Sequence, residues 1–153
     1  MTSVTLTVNS ITFTFENGDV DTCKSNIQSN IESSLITGLG PMGAYIYDFE
    51  GCSKVIEISG NLTPATTTRT SSGTIKTILE QKQWIESLIN GIQGLITFTS
   101  NYETKSANTV TGAATPYQSA FTNTTCKVQS MSFDEKGGNP LQLPFRITLT
   151  VGQ

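Results

Sequence analysis

Carboxylates two residues apart are the best-spaced groups for chemistry in this chain. Asp19 and Asp21 form one pair, Asp48 and Glu50 another. On a strand, residues i and i+2 share a face, so each pair could hold Ca²⁺ or act as an acid and a base. Both pairs sit beside turn residues, Asn17-Gly18 and Glu50-Gly51, where carboxylates more often serve as solvated turn formers. Histidine is absent, which removes the commonest general base and the usual metal ligand. The cysteines are Cys23, Cys52 and Cys126, an odd number with no Cys-x-x-Cys pair. Free, partly buried thiols are expected, not a disulfide framework. No phosphate-binding loop, dinucleotide fingerprint, zinc-protease motif, nucleophile elbow or EF-hand loop is present. The expectation is a protein that is not an enzyme and needs no cofactor or metal.

Aromatic residues are the other candidates for recognition. Tyr45, Tyr47 and Phe49 alternate, so they share one strand face. They could stack on sugars, but a core or subunit contact is the stronger expectation. Trp84 lies off the apolar stripe of a helix, as a rim residue or an interface anchor. Tyr102, Tyr117 and Phe121, with Val110, are the large anchors of a stretch otherwise rich in Asn, Thr, Ala and Ser. Tyr45, Tyr47, Phe49, Trp84, Tyr102, Tyr117 and Phe121 are therefore the candidate interface residues.

Composition narrows the class. Charged residues make up 14% of the 153, well below an average globular protein, and the net charge is −3. Thr, Ser, Asn and Gln take their place. A neutral, hydroxyl-rich surface suits strands and suits subunit packing, where few charges need desolvating. The nine Lys and Arg are scattered, which argues against a phosphate-binding face. No apolar run approaches the roughly 18 residues of a membrane span. The first residues, MTSVTLTV, lack the basic-then-apolar pattern of a secretory signal.

The elements that would position these groups are mostly strands, in one expected domain over residues 1–153. Val4, Leu6 and Val8 share one parity, and Ile11, Phe13 and Phe15 the other, with a bulge or bend expected at Asn9-Ser10. Asn17-Gly18 is the strongest hairpin signal, with a return strand over Val20 to about Ile27. Residues 30–51 read as a long excursion: a short helical turn at Ile31, Leu35 and Ile36, a Gly- and Pro-rich break, then AYIYDF as a strand or extended arm. Val55 to Leu62 alternates as a half-buried strand, and Gly60 within it implies a bulge or the close approach of another backbone. Ile75, Ile78, Leu79, Ile85, Leu88, Ile89 and Ile92 recur at helical spacing. They predict one helix over about 74–90, with Ser71, Ser72 and Thr74 as candidate N-caps. A strand follows from Leu95, then a long loop or an extended flexible hairpin over 101–125. Cys126 to Phe133 is a strand with a phase slip near Gln129, and Leu141 to Val151 alternates strictly. The sum is a mainly antiparallel β-sandwich with one long helix.

The run KVIEISGNL, a loop, the helix, a Gly turn and LITFTSNY resemble the tube-like domain of phage distal tail and baseplate hub-ring proteins. The matching positions are Ile56, Ile58, Gly60 and Leu62, then Leu79, Ile85 and Leu88, then Phe98, with Asp48 to Gly51 as the polar turn before the strand. The likeness covers about a third of the chain. It implies a two-sheet β-sandwich flanked by the helix, and a closed hexameric ring whose inner strands form a barrel around a lumen. It implies tail tube, baseplate or hub proteins as partners, and a place in the virion tail after assembly in the host cytoplasm. DNA would pass without specific binding, and Glu16, Asp19, Asp21 and Glu57 are the candidate lumen residues. A tail tube subunit fits the same pattern. A carbohydrate-binding or adhesin sandwich is the alternative.

Overall fold

The computed structural model describes residues 3–16, 18–35, 44–89, 93–101, 121–137 and 141–152. The chain is mainly β, as expected, with one helix among the described residues. The strands are β1 (Ser3–Val8), β2 (Ile11–Phe15), β3 (Val20–Leu35), β4 (Ala44–Leu62), β5 (Ile96–Asn101), β6 (Phe121–Phe133) and β7 (Leu143–Val151), and the helix is α1 (Ile78–Ser87). All pairings are antiparallel.

Hydrogen bonding joins the seven strands in one sheet, ordered β2-β1-β5-β6-β7-β4-β3, where two separate sheets were expected. This sheet folds over on itself. The Phe15 ring of β2 stacks on Phe145 of β7, with centroids 5.3 Å apart. Cys23 of β3 lies beside Ser100 of β5. Neither pair belongs to neighbouring strands, so both contacts cross an interior. That interior is filled by the alternating apolar residues, among them Leu6, Phe13, Ile56, Ile58, Phe98, Ile147 and Leu149.

Asn9-Ser10 is where β1 turns into β2. Both residues have positive φ, 47° and 66°, as a two-residue hairpin of the twist-matching kind demands. The parity change read as a bulge is this turn. The stretch around Asn17-Gly18 does not make a hairpin of β2 and β3. Those strands stand at opposite margins of the sheet, and the turn leads from one margin to the other across the open end. There Asn61 donates its backbone N–H to the Asp19 carbonyl at 2.8 Å. A Cβ on Gly60 would collide with that same carbonyl oxygen, so the close backbone approach read from Gly60 is present.

The helix is shorter than about 74–90. Thr77 is its N-cap, accepting from the Glu80 N–H while the Glu80 carboxylate accepts from the Thr77 N–H, a capping box. Residues before Thr77 belong to the loop instead: Lys76 and Ile75 offer their carbonyls to Ala65 and Arg69. The stripe is narrower too. Gln81, Ile85 and Leu88 are buried, whereas Leu79 is 62% exposed and Ile89 38%, because the inward face of α1 passes through the first three and leaves the other two at its side.

Candidate assembly surface

The feature that stands outside the core is a ribbon. β3 and β4 pair from Val20↔Gly60 out to Leu35↔Ala44, but β7 accompanies β4 only from Leu62 to Val55. Beyond that point β3 and β4 continue as two strands alone, over residues 26–35 and 44–54. No helical turn occurs at Ile31 to Leu35, because this segment completes the ladder with Ala44 to Asp48. The excursion expected at 30–51 is thus a β-hairpin arm in its described part. It bends where Gly51 takes φ +84° and the register shifts between Ser29 and Ile31.

Cross-strand partners share a face. The face carrying buried Ile58 and Ile56 therefore runs on through Ile27, Ile31 and Ile46. Those three are 59%, 53% and 70% exposed. The core face of the sheet continues along the arm, where these isoleucines stand opposite Lys54, Asp48 and Ser33 and are exposed among the described residues. Tyr47, opposite Glu32 on the other face, is 51% exposed. A two-stranded ribbon is marginal in water without a surface to pack on.

The two sheet margins differ. β2 is covered: Thr14 donates to the Arg69 carbonyl at 2.8 Å, Ser71 donates to the Thr12 carbonyl at 2.9 Å, and Phe13 bridges Thr70. β3 has no neighbour on its outer side among the described residues. Sixteen residues of strand thus present an open ladder, the kind of edge that pairs with another chain unless it is blocked.

Asp19 is not a surface carboxylate. It is 2% exposed, and its Oδ2 lies 2.8 Å from Arg69 Nη2. Its Oδ1 accepts from Thr63 Oγ1 at 2.7 Å, and Oδ2 accepts from the Glu16 N–H at 3.2 Å. Burial is the largest influence and raises its pKa, against the lowering effects of Thr63 and Arg69. Arg69 also donates to the Thr63 carbonyl, which Gln81 Nε2 shares. This cluster ties the 16–19 turn, the 63–76 loop and α1 together. Asp19 therefore cannot line a lumen; it is an internal fastener.

The other expected lumen residues are dispersed. Glu16 lies 3.6 Å from Arg69 Nη1 and is half-buried. Asp21 is exposed and accepts from Asn61 Nδ2 at 3.3 Å. Glu57 lies 3.7 Å from Arg146 Nε. Register places Glu57 on the outer face of β3, β4, β7 and β6 with Lys24, Thr148 and Ser130, flanked by Thr22, Ser59, Arg146 and Ser132. That face is hydroxyl-rich, and its charges are mixed in sign, not acidic.

Trp84 stacks on Phe13 with centroids 5.0 Å apart. It is the rim residue of the two readings, half-buried over the core. Tyr45, Phe49 and Phe121 lie in β4 and β6 by backbone; Tyr102 and Tyr117 fall outside the described residues. No group of three or more His, Cys, Asp or Glu able to hold a metal occurs among the described residues. The excursion and the extended Ala44 to Phe49 were legible; the pairing of Ile31 to Leu35 with them was not, because a ladder leaves no local sequence pattern. A usable signal was present: the stretch from 25 to 53 carries Glu32, Asp48 and Glu50 and no basic residue.

A scan against protein-family models returns no match. A search of curated proteins likewise returns none.

Proposed function

We propose that this chain is a structural subunit of a phage tail or related injection machine. It forms a hexameric ring at the junction of tube and baseplate and continues the DNA conduit. The observation that supports the reading is the β3–β4 arm: exposed isoleucines and an open strand edge that no described residue covers. Such features are an aggregation hazard in a monomer and an asset in an assembly that closes on itself. In the proposed ring the two-sheet sandwich of the tail-tube type corresponds to the two halves of the folded-over sheet. The mixed, hydroxyl-rich outer face of β3, β4, β7 and β6 is suited to a lumen past which DNA slides, since no cluster of Lys or Arg holds phosphate there. The role requires no catalysis and no membrane insertion, and it places the protein in the virion tail beside other tube, baseplate or hub proteins.

The test is to remove the arm. Joining Asn26 directly to Val55 through Asn-Gly keeps the register pair that ends the body of the sheet. The full chain should give rings of about six copies by sedimentation and particle imaging, and the shortened chain a folded monomer. A full chain that stays monomeric at high concentration, and in the presence of tail extracts, overturns the proposal in favour of a binding module.

A further inference from the structure

The sheet has one margin where a further strand can be added. β2 is closed by the bonds of Thr12, Phe13 and Thr14 to the 69–71 segment, and β3 is the open margin among the described residues. The free stretch of β4 before Val55 is broken where Gly51 takes φ +84°. β3 stays regular there: between Ser29 and Ile31 the extra residues belong to β4, which runs from Cys52 to Asp48 over the same step. Every residue of β3 from Lys24 to Glu32 is exposed. Margin-to-margin pairing of two copies therefore joins β3 to β3 among the described strands.

Charge selects the register. The exposed run of β3 carries one base and one acid, Lys24 and Glu32, with Gln28 midway between them. Both stand on the outer face, opposite Glu57 and Tyr47. Glu57 reaches Arg146 instead, at 3.7 Å, and neither Lys24 nor Glu32 has an ion pair with a described residue. A two-fold axis through Gln28, perpendicular to the sheet, sets two such strands antiparallel and keeps both faces continuous. It also puts Lys24 of each copy directly opposite Glu32 of the other. A slip of one pleat either way moves both pairs out of opposition. On the core face the same register sets Ile27 opposite Ser29 and Ile31 opposite Ser25 of the second copy. The isoleucines of the two copies then lie diagonally next to one another, within side-chain reach.

We propose that the open edge of β3 pairs antiparallel with the same edge of a second copy, Lys24 to Glu32 of each strand in register about Gln28. The contact is isologous, so it goes beyond the ring reading above and does not rest on it: two copies pair whether or not six close. The paired run is about 30 Å long. The contact is therefore weak alone, and the exposed ion pairs fix register more than they add affinity.

The experiment uses the full chain with Cys52→Ser, leaving the half-buried Cys23 and the buried Cys126. Gln28→Cys, at the axis, should oxidise to a linked dimer by itself. Asn26→Cys and Asn30→Cys should each stay unlinked alone and link when mixed. Sedimentation at high concentration supplies the second reading. Lys24→Glu or Glu32→Lys alone should weaken dimerisation about tenfold, and the two together should restore it. All these positions are exposed, so the fold is not at stake. A Gln28→Cys chain that stays unlinked, Asn26→Cys that links to itself, or a double reversal that fails to restore dimerisation overturns the pairing. Rings without the Gln28 link refute the pairing and leave the ring reading standing; the Gln28 link without rings does the reverse.

Discussion

Asp19 and Arg69 are both about 2% exposed, so each depends on the other to offset its desolvation. Removing one partner leaves a buried charge alone. Arg69→Met should cost about 3–5 kcal/mol in denaturant titration. The pH dependence has a definite sign. Burial raises the folded pKa of Asp19, so the folded state holds this proton more tightly than the unfolded chain. Its contribution is fully present below the unfolded value, about 3.9, and is lost as pH rises through the folded value. Glu80 acts oppositely: the Lys76 and Thr77 N–H groups lower its pKa, and its contribution is lost as pH falls through the folded value. Wild type should therefore gain on Asp19→Asn as pH is lowered from 7 towards 4. A gap that is flat with pH would show that Asp19 titrates alike in both states. Gly60 is equally constrained. Gly60→Ala forces apart two backbones, and a loss of about 3 kcal/mol is expected.

At the level of elements, α1 has a buried face and an exposed side. Ile85→Ala empties a fully buried site and should cost about 2–4 kcal/mol. Leu79→Ala, one turn and a half earlier on exposed surface, should leave the unfolding midpoint within about 0.5 kcal/mol. Comparable losses for the two would mean that the N-terminal turn is buried as well. The helix also shows how sequence signals compete. The capping box Thr77-Ile78-Leu79-Glu80 was legible, but Ser71, Ser72 and Thr74 offered plausible caps further back. Tertiary bonds decided: Arg69 and Ala65 need the carbonyls of Ile75 and Lys76, which keeps those residues extended. Strands with one wet and one dry face were readable because alternation records that asymmetry, as in β7, where Leu143, Phe145, Ile147 and Leu149 are buried. β3 beyond Asn26 carries only Ile27, Ile31 and Leu35 among polar residues, too sparse an alternation to read as a strand. Gly18 and Asp19 do lie in a turn, the Asp19 N–H donating to the Glu16 carbonyl, but a turn does not specify which strands lie beside it.

For the molecule as a whole, charge is distributed unevenly: Glu32, Asp48 and Glu50 outweigh Lys54 on the arm, while acids and bases nearly balance elsewhere. Around a ring the arms project together, and their mutual repulsion acts over a Debye length of about 10 Å at 0.1 M salt. Assembly should therefore strengthen when salt is raised from about 20 to 200 mM, read as a lower concentration midpoint in sedimentation. Weakening with salt would mean that the arms meet a basic surface instead. The folding order of the sheet was not legible for a related reason. Pairing β1 with β5 and folding β2 over β7 rest on contacts far apart in sequence, and no local pattern encodes them.

The three thiols occupy three distinct settings, and this gives the protein an internal reporter. Cys126 is fully buried in the core with its pKa pushed up to about 11 by burial, which keeps it from forming the reactive thiolate at neutral pH. Cys23 is half-buried with its pKa also raised by burial. Cys52 stands exposed on the arm, opposite Ser29 on the face of Ile27 and Ile31. An alkylating reagent should therefore modify the native chain in the order Cys52, Cys23, Cys126. The first of these rates samples the arm while the last samples global opening. Slower alkylation of Cys52 at higher protein concentration, with Cys126 unchanged, would report arm coverage in solution without any engineered label.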